Sequence, residues 1–155
     1  MTVDRAARAE LRQALISYMT GEIRTFAFDD RNDNTWSEDQ SIAEISRFLW
    51  HTHDDFVDHP VSVSSDGWMT LRRIVAFLGM DLEITSKANE PSWPFANAEE
   101  WQVNGYLVDD ARLPNYDSRL HGRPYQSWWN GIPTRLGVAL LLTIVAVIVV
   151  TVTCL

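Results

Sequence analysis

Apolar positions recur at helical spacing near the start of the chain. Over 4–19, Ala7, Leu11, Ala14, Leu15 and Tyr18 fall on one face and Arg5, Arg8 and Arg12 on another, with Gly21 placed to stop the run. This pattern predicts an amphipathic helix laid on a core. Ser37 and Gln40 form a capping-box pair that opens a second predicted helix, carried by Ile42, Ile45, Phe48 and Leu49 to about residue 52. A third starts near Ser65, aligns Trp68, Leu71, Val75 and Leu78 in one stripe, and ends at Gly79. A fourth is predicted over 98–111, with Asn97 as cap, Glu100 at the third helical position and Leu113-Pro114 as terminator. Between helices the period shortens to two. Residues 60–63, and Leu82 and Ile84 alternating with Glu83 and Thr85, predict short strands. The 22–28 stretch fits strand or helix, and 29–34 reads as a polar loop. Together these elements predict an α-rich α+β domain with about four helices and few short strands.

The last twenty positions follow neither pattern. Residues 136–155 include 16 apolar side chains, 13 of them Leu, Ile or Val, and no charge. At ~1.5 Å rise per residue the stretch is roughly 30 Å long as a helix, the hydrocarbon thickness of a bilayer. It predicts a single C-terminal transmembrane helix. Trp128, Trp129 and Arg135 stand just before it, as residues of a membrane interface do. Every acidic residue lies at or before Asp117, whereas Arg119, Arg123 and Arg135 follow, so the positive-inside rule keeps the N-terminal bulk in the cytoplasm. The expected organisation is an acidic globular domain over 1–117, a juxtamembrane connector over 118–135 and a tail anchor over 136–155. A basic-then-apolar signal layout is missing from the N-terminus, because Asp4, Arg5, Arg8, Glu10 and Arg12 interrupt it. The excess of Arg over Lys fits a GC-rich, bacterial genome, and the expected location is then the bacterial inner membrane.

Charge and cysteine content narrow the function. Thirteen basic against 21 acidic residues give a formal charge of −8, which excludes a nucleic-acid binder that relies on a basic surface. One cysteine, Cys154, excludes an internal disulfide, and no disulfide-linked partner is expected. Phosphate-cradling glycine loops, Gly-x-Ser-x-Gly elbows and Cys-x-x-Cys pairs are absent from the sequence.

The densest ionisable cluster is His51, His53, Asp54, Asp55, Asp58 and His59. Imidazoles and carboxylates at such spacing are ligands for zinc and other divalent ions, so His53, Asp55 and His59 are the candidate metal ligands. The same residues also suit a helix end and a solvated turn before Pro60. The run from His51 to Asp55 partly resembles the ligand string of the metallo-β-lactamase superfamily. It departs at Phe56, where the last histidine would stand, and the chain lacks the length and pattern of that two-sheet fold. Asp30, Asn32 and Asn34 have the spacing of a calcium-loop opening, but Thr35 replaces the glycine and Ser41 the bidentate Glu, which leaves a turn. Glu99-Glu100 and Asp109-Asp110 are neighbours that point to different helix faces and read as solvated charges.

Aromatic residues gather at Trp93, Phe95 and Trp101 around Pro91 and Pro94, a composition that suits either a partner surface or core packing of the last helix. The expected function is a membrane-tethered, non-enzymatic interaction module or accessory subunit, with a protein partner at the membrane and no cofactor. Two alternatives are a small membrane-bound metal-dependent hydrolase or metal sensor, and a membrane-disturbing effector. The last is weakened because the span has no Gly-x-x-x-Gly face.

Overall fold

The structure is a computed structural model, and it describes residues 2–35, 37–51, 57–104 and 112–122. Residues Met1–Pro124 form one compact unit; the second, Tyr125–Leu155, lies outside the described residues, and with it Trp128, Trp129, Arg135 and the apolar stretch. Among the described residues no helix is long and apolar enough to cross a membrane.

Five helices make up the described fold: α1 (Arg5–Met19), α2 (Thr25–Asn34), α3 (Gln40–Trp50), α4 (Ser65–Leu78) and α5 (Ala98–Asn104). Helix α1 is the centre, packed on both α2 and α4, and α2 in turn meets α3. Its N-terminus is closed by the Asp4 carboxylate, which accepts the Ala7 amide at 3.0 Å. Its C-terminus is closed by Gly21 at φ +78°, where the Gly21 and Glu22 amides turn back to the carbonyls of Tyr18 and Ser17. This double bond pattern is a Schellman motif, and the positive φ is the reason a glycine stands there. Leu11, Leu15 and Ile16 of α1 meet Phe28 of α2, Ile42 and Ile45 of α3, and Trp68, Ile74 and Phe77 of α4 in one buried core. Burying one such side chain contributes roughly 1.5–3 kcal/mol.

The α+β expectation is corrected: the described residues hold five helices and no strand. The period-two alternation at 82–85 is real, with Leu82 and Ile84 half-buried and Asp81, Glu83 and Thr85 exposed, but no second strand lies beside it. The Ile84 amide donates instead to the Ser41 hydroxyl of α3, at 3.1 Å. Residues 60–63 are extended in the same way, and the Val63 amide meets the His121 carbonyl at 2.8 Å as a single bond rather than a ladder. Alternation reports which side chains are buried, and a helix surface buries them as well as a sheet does.

Helix boundaries also shift. The polar 29–34 stretch is the second half of α2, held by Phe28 and by the buried Asn32, whose Nδ2 donates to the Ser46 carbonyl at 3.4 Å; the calcium-loop spacing therefore lies on a helix. Helix α3 is capped by Asp39, not Ser37. Ser37 donates to Asp4 and accepts the Asp39 amide, so it orders the chain ahead of the cap. Asn97 caps α5 as predicted, its Oδ1 accepting the Glu100 amide at 2.8 Å; positions 105–111 of the predicted longer helix lie outside the described residues.

Candidate functional site

Three arrangements bring chemistry-bearing side chains together. The first is a buried polar hub. Arg8 was expected on the exposed face of α1, yet it is 1% exposed, with Nε 2.7 Å and Nη2 3.2 Å from the Asp39 carboxylate. Its Nη1 donates to the Met80 carbonyl, and the guanidinium carbon stands 5.4 Å from the Phe77 ring centre. Asp39 also accepts the amides of Asp4 and Ser41. Burial works to raise the Asp39 pKa, but Arg8 and the two amides overcome it and hold the carboxyl below the ordinary range. Every partner belongs to the fold, so the hub fastens α1, α3 and the turn after α4 to one another.

The second is the predicted metal cluster. His53 and Asp55 lie outside the described residues. His59 is buried, its carbonyl accepts the Thr25 amide at 3.0 Å and hydroxyl at 2.7 Å, and its Nδ1 lies 2.7 Å from the Pro60 carbonyl, which holds the ring proton on Nδ1. Asp58 accepts the Phe26 amide and pairs with Arg24 at 3.4 Å. His51 is the C-cap of α3, edge-on to Trp50. These residues tie the chain after α3 to the start of α2. Among the described residues no group of three His, Cys, Asp or Glu side chains is arranged to hold a metal ion.

The aromatic cluster is mostly interior. Trp93 and Phe95 are 1% and 0% exposed, and only Trp101 is partly accessible, so the first two present no partner surface. Trp93 packs on Phe48 with ring centres 4.5 Å apart, and Phe95 sits between Phe77 and Trp101. A cleft of about 500 Å³ opens beside them, lined by Phe48, Met69, Arg73, Glu90 and Trp93 among others. Arg73 donates to the Trp93 carbonyl at 3.0 Å and to the Thr70 hydroxyl at 2.8 Å, which fastens this loop to α4. Among the described residues the large apolar side chains most exposed to solvent are Phe26, Trp50, Met69, Val103 and Leu120, and helical periodicity alone did not separate them from the core.

The third arrangement was not visible in the sequence. Residues 112–122 fold back onto the domain as a clasp. Leu113 is buried, Arg112 donates to Gln13 of α1, and the Asp117–His121 turn closes with the His121 amide on the Asp117 carbonyl at 2.8 Å. The His121 ring is 7% exposed and lies nearly flat on Trp68 of α4, centres 4.1 Å apart at 15°. Its Nδ1 accepts the Asp117 amide at 3.0 Å, so Nδ1 carries the lone pair and Nε2 the proton. Burial lowers the His121 pKa from its ordinary value against the opposing pull of Asp117. Gly122 is required by space: a Cβ there would stand 2.6 Å from the Tyr116 hydroxyl and 2.9 Å from the Ser118 carbonyl.

No family model, curated protein or solved structure matches this chain.

Proposed function

We propose that the protein is a membrane-tethered interaction module: residues 136–155 insert into a bilayer, and the helical domain stands on the cytoplasmic side to engage a protein partner. The observation that carries this reading is the uninterrupted apolar run of 136–155 beside a domain that already contains its own core. A soluble domain with that core has no use for twenty further apolar residues.

The contact surface suggested by the fold is the exposed set rather than the Trp93 cluster. Phe26 and Trp50 are 43% and 48% exposed, and exposed aromatics are the side chains that most often anchor an interface. Exposed Glu38, Glu44 and Glu83 give the surface the acidic character that would select a basic partner. The test has two parts. Alkaline carbonate washing of membranes should leave the chain in the pellet, and its release would refute the anchor. Purification in mild detergent should bring down a partner that Trp50→Ala loses while the fold is retained; an unchanged set of co-purifying proteins would refute the surface.

A further inference from the structure

The clasp holds a titratable ring in a place where only one protonation state fits. We infer that residues 112–122 form a proton-operated clasp: protonation of His121 releases the 117–122 turn from Val63 and Trp68. The opening of the clasp does not rest on the membrane reading.

The geometry makes the switch. The Asp117 amide donates to Nδ1, so a proton added at Nδ1 would face an N–H across 3.0 Å and the hydrogen bond would become a repulsion. No described carboxylate lies within ion-pair distance of the ring, and Asp117, the one acid acting on it, already accepts the Arg119 amide through Oδ1 at 2.8 Å. From α4 the ring meets Trp68, flanked along that helix by Asp66 and Arg72; the 61–64 segment, which carries no acidic or basic residue, bonds the His121 backbone through the Val63 amide; from its own segment the ring meets Tyr116, centres 5.9 Å apart.

Asp117 and the indole face favour the cation, while burial and the occupied lone pair oppose it, and burial is the larger effect. The closed state is also not fully satisfied. The Trp68 indole N–H is buried without an acceptor, a cost that persists while the ring stays covered.

Opening removes the bond from the Val63 amide to the His121 carbonyl and frees the chain back toward the buried Leu113. The sign follows from the lowered pKa: the closed form is favoured above the ordinary imidazole value of about 6.5 and is progressively lost below it.

Hydrogen exchange on the full chain in detergent micelles tests this, read as protection relative to the intrinsic rate at each pH. Val63 and Asp117 amides should lose a severalfold share of their protection, up to the about tenfold ceiling of a single histidine, between about pH 7.5 and about pH 5.5, while α1 amides such as Leu15 keep theirs. His121→Asn, whose side-chain oxygen can take the Nδ1 role without titrating, should keep protection at both values. Equal protection of the native chain at both values, or a drop that persists in His121→Asn, overturns the proposal. If that variant opens the clasp at every pH, the nitrogen shifts of His121 in the native chain decide. A neutral Nε2–H ring with its midpoint below about 6.5 supports the clasp, and a midpoint at or above that value overturns it. Release by carbonate would refute the anchor and leave these results untouched.

Discussion

Breaking the Arg8–Asp39 pair on both sides should cost clearly less than the two single losses added together. Arg8 and Asp39 are 1% and 4% exposed, so neither charge can turn to water when its partner is removed. Removing one member of such a pair costs about 3–5 kcal/mol, because an uncompensated charge stays buried. Asp39→Ala should fall at the upper end, since it also removes the cap on Ser41 and the anchor of Asp4, and a lost cap alone costs about 1 kcal/mol. Arg8→Met should fall near the lower end, because Asp39 keeps its two amide donors. The double variant leaves no buried charge and should cost less than the sum by about 2 kcal/mol or more. Against a total stability of about 5–15 kcal/mol these losses are large and measurable. Urea titration of the four proteins in detergent, followed by far-ultraviolet circular dichroism, gives the cycle. Strict additivity would refute the claim that the two charges depend on each other. The same carboxyl has its pKa lowered, so its contribution is complete above about pH 4 and is lost as pH falls through its folded value; Asp39→Asn should flatten that acid limb.

Gly122→Ala should open the clasp at every pH by crowding Tyr116 and Ser118, at about 1–3 kcal/mol, and Tyr116→Phe should recover part of the loss; Val63 protection reports both. Gly21→Ala should cost roughly 1–2 kcal/mol in the urea midpoint even though open space surrounds the position, because the cost is the left-handed backbone and not a clash. Trp93→Ala should lose about 3–5 kcal/mol, while Trp50→Ala, on the exposed end of α3, should change stability by less than about 1 kcal/mol; similar losses at both would refute the assignment of core and surface.

What the sequence made legible, and what it hid, divides along the range of the interactions. Helices α1 and α4 were readable because their signals are local: an apolar stripe at helical spacing, Asp4 or Ser64 at the start, and Gly21 or Gly79 at the end. The 29–34 segment misled for the complementary reason, since its polar side chains carry no stripe and its helix is stabilised by neighbours, chiefly Phe28 against Tyr18 of α1.

Arg8 shows the limit most clearly. A charge at a helical position reads as solvent-facing unless a partner is known, and its partner Asp39 is thirty-one residues away, itself reading as one acid among many. His121 is the same case at longer range, because Trp68 and Val63 lie on elements that no periodicity links to it. A buried ionisable group is stable only when a partner meets it, and that partner can be distant in sequence, so a scan for local clusters points first to dense runs such as 51–59. The groups most constrained by the fold, and so most sensitive to a proton or a substitution, are the isolated ones. Among the described residues the Arg8–Asp39 pair and His121 are such groups, and that is why stability should depend on the pair, and pH response on Asp39 and His121, more than on the exposed acids.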